Sequence, residues 1–292
     1  MTEELNPRFS FDTLVVGAAN RLAVTAARTV GESPGTAYNP LFIYGESGLG
    51  KTHLLMAIGQ LARQLQPGID VEYVTLDEFV ELYHAAVGAG QSEALRARFG
   101  RVDVLLMDDV HFLTHRREMQ SELLRIVEEI QAENKQIVLS SDRPPAEIQE
   151  LDDRLLTRFD GGLVVDIDVP DYETRLAILK RRATDRGAEF EDGVLEAVAR
   201  FDVQNVRELL GLLNRLVAYQ AVSETPLTPD AAHQLLAGEA PAPPVSVPGV
   251  PVRETPVANE FEEFLSGVSF TVQEQVEAWR ARVADAIVRW GG

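Results

Sequence analysis

The chain has 292 residues, 45% of them hydrophobic, and carries 27 basic against 46 acidic side chains for a net charge of −19. At roughly 150 residues per domain this predicts two folded units; it excludes a disordered chain and a protein that holds duplex DNA mainly by neutralising phosphates. Cysteine is absent and the longest apolar run is Leu54 to Ile58, so disulfides and thiolate metal sites are excluded and the roughly 18 apolar residues of a membrane span are not approached. The N-terminal MTEELNPRFS has no basic-then-apolar signal region, which predicts a soluble, cytoplasmic protein without a membrane partner.

The first element is a short apolar strand, LFIY at 41–44, and it runs into Gly45-Glu46-Ser47-Gly48-Leu49-Gly50-Lys51-Thr52. A helical pattern follows through His53, Leu54, Leu55, Ile58 and Leu61. Strand, glycine loop and helix in this order form the G-x-x-x-x-G-K-[ST] phosphate loop: glycines let backbone N–H groups turn onto phosphates, the Lys meets the β and γ oxygens, and the hydroxyl holds Mg²⁺. ATP and Mg²⁺ are the expected cofactors. Only three of the basic residues are lysines, Lys51, Lys135 and Lys180, and one of them falls in the loop.

Further strands read VEYVTL (71–76), VDVLLMDD (102–109), QIVLSSD (136–142) and GLVVDIDV (162–169). Near-continuous apolar strands alternating with helices predict an α/β fold with a parallel sheet covered on both faces. The third strand ends in Asp108 and Asp109, where a carboxylate at the C-terminal edge of the sheet faces the loop. Asp108 is the expected Mg²⁺ ligand and Asp109 the base that polarises the attacking water. His111 and His115 lack an acidic residue placed as in a zinc helix and read as loop residues.

After Pro170 the pattern is helical only, at about 173–185, 192–200, 205–222 and 228–237. Residues 239–258 hold six of the fifteen prolines and read as an extended linker. Beyond it, Thr271-x-x-Glu274 has the form of a capping box, and Val272, Val276, Trp279, Val283, Ala286 and Trp290 recur at helical spacing. This amphipathic helix either docks on its own domain or offers a handle to a protein partner. The expected layout is an α/β domain at 6–170, a helical domain at 171–238, a linker at 239–258 and a helical segment at 259–292.

Several stretches together resemble the AAA+ module of the bacterial replication initiator DnaA: NPRFSFDTLVVG (6–17), AYNPLFIYGESGLGKTHLL (37–55), VDVLLMDDVHFL (102–113), NKQIVLSSDRPPAEI (134–148), DDRLLTRFDGGL (152–163) and NVRELLGLLNRLVAY (205–219). The resemblance covers about 6–238. It implies a five-stranded AAA+ P-loop NTPase followed by a helical lid. Ser141 and Asp142 match the family's sensor 1, and Arg158 matches the arginine finger that reaches the ATP of the next subunit, with Arg154 similar to a second Arg of that motif. Arg207 matches the sensor 2 arginine of the lid, and Val15, Val16 and Asn20 lie where the family lines its adenine pocket. The implied activity is a slow ATPase whose ATP form favours a homo-oligomer in DNA replication initiation.

The resemblance ends before the linker, and the family's origin-reading domain is not expected in 239–292. The family grips single-stranded DNA through a helical insertion, here about 77–101, whose Arg96, Arg98 and Arg101 face Asp77, Glu78, Glu81 and Glu93 in composition. Arg96 and Arg98 are the candidate contacts. Three readings stand: an initiator-type ATPase assembling on DNA, a regulator resembling Hda that acts on the initiator, and an ATP-dependent scaffold whose acidic surface and Trp279/Trp290 helix bind a protein.

Overall fold

The computed structural model describes residues 5–223 and 226–238. The chain divides into two compact units, Met1–Pro244 and Val245–Gly292, and the described residues all belong to the first. The linker at 239–258 and the tryptophan helix lie outside the described residues.

Five strands, β1 (Leu41–Tyr44), β2 (Val71–Thr75), β3 (Val104–Asp108), β4 (Gln136–Ser141) and β5 (Leu163–Asp166), form one parallel sheet in the order β2-β3-β4-β1-β5. β3 and β4 are buried at every position, and period-2 alternation sends their side chains to two cores. Leu41, Ile43, Val104 and Leu106 pack with α1 (Arg21–Glu32) and α2 (Lys51–Leu65). Phe42, Leu105 and Met107 pack on the other face, with α3 (Leu76–Gly88), α4 (Ser92–Arg101), α5 (Arg117–Ala132) and α6 (Asp153–Asp160). Chain order places β1 between β4 and β5, so the strand order reverses beside the C-terminal end of β1, the crevice where open α/β sheets bind ligands.

Local signals explain the boundaries. The Thr75 side chain accepts from the Glu78 N–H and Glu78 reaches back to the Thr75 N–H, a capping box that turns β2 into α3 one residue earlier than the apolar pattern predicts. β5 ends at Asp166 rather than 169, although the Ile167 N–H still bonds the Tyr44 carbonyl at 2.8 Å. Asp171, Asn205 and Thr228 cap α7 (Tyr172–Asp185), α9 (Val206–Val222) and α10 (Pro229–Ala237). With α8 (Val194–Ala199), these helices enclose a third core in which Leu209, Leu213 and Leu216 are fully buried at one face of α9. Helix α1 is absent from the sequence reading because its buried face is mostly alanine and glycine. His111 lies in a 3₁₀ turn, Val110–Leu113, rather than in a loop.

Candidate functional site

The glycine loop joins the end of β1 to α2, and three of its residues need backbone that side chains resist: Gly45, Gly48 and Gly50 have φ of 150°, 83° and 102°. A Cβ at Gly45 would strike the Ile167 carbonyl. Gly50 occupies the N-cap of α2 and supplies no side-chain cap, so the first N–H groups of the helix are left for an anion. Lys51 is buried and lies across the loop, its Nζ donating to the carbonyls of Gly45 (2.7 Å) and Glu46 (3.0 Å). Burial pulls its pKa down, against the opposing pull of Asp109 and Asp108.

Thr52 Oγ1 donates to Asp108 Oδ2 at 2.6 Å, so the loop hydroxyl and the carboxylate at the end of β3 meet. Two hard oxygen donors beside an anion-binding loop fit the chemistry of a magnesium ion that keeps several waters. Asp109, next along the chain, has a left-handed φ of 60°. Burial and the neighbouring Asp108 charge raise its pKa, the direction a general base near neutrality requires. Among the described residues no group of three or more His, Cys, Asp or Glu forms a further metal cluster.

At the end of β4, Ser141 is fully buried. Asp142 is half-buried at the cleft and forked by Arg143, whose Nε and Nη2 donate to its two oxygens at 2.8 Å each. That hydrogen bonding holds the Asp142 pKa below its ordinary value. His111 Nδ1 accepts the Asp142 N–H at 3.4 Å and stands 3.6 Å from Asp142 Oδ1 and 4.0 Å from Asp109 Oδ1. The spacing of His111 gave no hint of this. From the helical part of the fold, Arg207 Nη1 donates to Ser47 Oγ at 3.3 Å, so α9 touches the tip of the loop. Arg158 on α6 pairs with Glu128 at 3.0 Å and is half exposed, while Arg154 stands 3.6 Å from Asp152; neither meets a group of this cleft.

Beside the loop a cavity of about 70 Å³ is lined by Val15, Asn20, Leu49, His53, Ile178 and Val206 among others. Of the two valines expected at the adenine pocket, Val15 lines this cavity, while Val16 is half exposed and is not among its lining residues. Asn20 folds the turn, accepting from the Gly17 N–H and donating to the Val15 carbonyl, both at 2.9 Å. His53 Nε2 bonds the Ser10 carbonyl at 2.8 Å and its ring stacks on Phe9. Burial lowers its pKa, so the neutral ring donates from Nε2.

The two arginines expected to touch single strands are engaged elsewhere: Arg96 pairs with Glu122 at 2.7 Å and Arg98 with Glu72 at 2.9 Å, both buried carboxylates. A cleft of about 410 Å³ between α3 and the start of α5 instead gathers Val80, Tyr83, His84, His115, Arg116 and Arg117.

A doubly covered parallel sheet with this loop at its topological switch point, followed by a helical lid that reaches the loop, defines an AAA+ P-loop module. Residues 5–166 match the family described as the bacterial DnaA ATPase domain, and the chain belongs to that family. It is 47% identical over 232 residues to the chromosomal replication initiator protein DnaA of Symbiobacterium thermophilum, covering 80% of this chain and 51% of the relative. Domain III of the Thermotoga maritima initiator superposes with a TM-score of 0.76 at 38% identity, over 81% of this chain and 98% of that one. A DnaA structure described as bound to AMPPCP and single-stranded DNA superposes with a TM-score of 0.68 at 36% identity, over 73% and 65%. The chain spans about half the length of the curated relatives it matches.

Proposed function

We propose that this chain binds ATP with Mg²⁺ at the 45–52 loop, hydrolyses it slowly, and uses the nucleotide state to switch assembly of its own copies during DNA replication initiation. The observation that carries the reading is the contact from Arg207 to Ser47: the lid touches the loop where a nucleotide's phosphates would lie, so a third phosphate changes what the lid is held to. Lys51 then exchanges its two loop carbonyls for phosphate oxygens. Asp109 accepts a proton from water as it attacks, Asp142 orients that water, and His111 holds the Asp142 backbone through its N–H. Mg²⁺, held by Thr52 and Asp108, neutralises charge on the phosphates when bound. Arg158 completes the site of a neighbouring copy, leaving Glu128 to do so.

Lys51→Ala tests the site. It should weaken ATP binding by about 100-fold, the loss of one strong charge-assisted contact, and calorimetry at parental affinity would contradict the assignment. Arg158→Ala should bind ATP normally and fail to assemble with it.

Single-stranded DNA, named with one solved relative, is the partner we assign to the Tyr83–Arg117 cleft rather than to Arg96 and Arg98. Aromatic and basic side chains in one groove are what strand binding uses, and the carboxylate partners of Arg96 and Arg98 leave them poorly placed for phosphate. A second reading, a regulator similar to Hda that acts on the initiator through protein contacts, is favoured by the net charge of −19, which opposes nucleic acid everywhere outside a local groove.

A further inference from the structure

Asp108 is 2% exposed, and three hydroxyls from three elements converge on it. Thr52 of α2 (2.6 Å) and Tyr73 of β2 (3.0 Å) both donate to Oδ2, and Ser140 of β4 donates to Oδ1. Ser140 also accepts the Asp109 N–H at 3.0 Å, so one hydroxyl ties the Asp108 carboxylate to the backbone of Asp109. Tyr73 pairs in register with Leu106, two residues before Asp108 on the same face of the sheet, and its long ring reaches the diagonal neighbour. A fully buried strand of a parallel sheet is ordinarily Val, Ile or Leu. A phenol there needs a partner for its hydroxyl, and at this position the hydroxyl reaches the carboxylate of Asp108.

We infer that Tyr73 and Ser140 are positioning residues for Asp108: they fix the carboxylate from the sheet side, so that Thr52, on the phosphate-loop side, is the donor that turns from Asp108 to the divalent cation. The inference rests on the reading of Thr52 and Asp108 as the Mg²⁺ site. Groups that hold a metal ligand from behind typically change metal affinity ten- to a hundredfold when removed. Both act through Asp108.

The test uses the full chain with a fluorescent ATP analogue, titrated with MgCl₂ after EDTA treatment, for the parent, Tyr73→Phe and Ser140→Ala, with thermal melting recorded alongside. Metal-free nucleotide affinity should stay within about twofold of the parent, while the Mg²⁺ concentration for half-maximal strengthening rises at least about fivefold. A merely structural role would lower melting temperature and metal-free affinity and leave the Mg²⁺ midpoint in place, and that result overturns the inference. Should Tyr73→Phe fail to fold, Ser140→Ala reads the same carboxylate from its other oxygen. A parent that binds the analogue without any response to Mg²⁺ overturns the metal-site reading and the positioning role with it. A responsive parent with unchanged variants overturns the positioning role alone.

Discussion

Asp109 carries the sharpest consequence at the scale of single residues. Its carboxyl is pushed above the ordinary range by burial and by Asp108, so as a general base it is active only when ionised, above that raised pKa. Hydrolysis should therefore climb with pH through a midpoint higher than a free carboxylate's, and Asp109→Asn should abolish turnover while ATP still binds. The stability sign is opposite: the folded carboxyl holds its proton more tightly than the unfolded one, so its ionisation costs stability in full above the raised pKa, and the cost eases as pH falls from that pKa and is gone below the unfolded one. A melting-temperature series should show that relief in the parent and not in Asp109→Asn. Arg207→Ala should cut the preference for ATP over ADP at least about fivefold, with little effect on ADP. At this scale Gly45, Lys51, Thr52 and Asp108 were legible because a contiguous loop and the residue ending a strand announce themselves along the chain. Tyr73, Ser140 and His111 were not, since each reaches its partner across strands or a turn, and a buried Tyr or Ser in an apolar run looks like filler.

Elements carry these residues to their places. Helix α6 presents Arg158 and is anchored by Leu155 and Phe159, both fully buried, with Phe159 against Phe42 of β1 at a ring separation of 5.6 Å. Phe159→Ala should cost about 3–5 kcal/mol in denaturant unfolding and should reduce ATP-dependent assembly beyond the loss of folded protein, because the finger helix loses its seat. The order of the strands followed from apolar runs, α1 did not, and the lid helices matched to within one or two residues. What escaped was the pairing of α4 with the rest: Arg96 and Arg98 stood in sequence as the candidate strand contacts, yet Glu122 of α5 and Glu72 of β2 take them up. Partners on other elements decide whether a charge is free, and a linear reading cannot pair them.

For the whole molecule, a net charge of −19 sets two salt responses of opposite sign. Copies repel one another, so screening should strengthen ATP-dependent assembly as salt rises. Strand binding at the Arg116–Arg117 cleft should weaken over the same range, and Arg117→Glu should remove it without touching assembly. Anisotropy and sedimentation on the same samples would separate the two. The family resemblance made the AAA+ architecture legible from residue 6 to 238, whereas the strand contacts it implied, Arg96 and Arg98, are paired with carboxylates of the chain itself.

Sedimentation velocity of the parent chain with saturating ATP and then ADP, each with Mg²⁺, tests the nucleotide-switched assembly most directly. The account predicts a faster-sedimenting species with ATP that is lost with ADP and lost in Arg158→Ala. Identical profiles in the two nucleotides, with both shown to be bound, would contradict it.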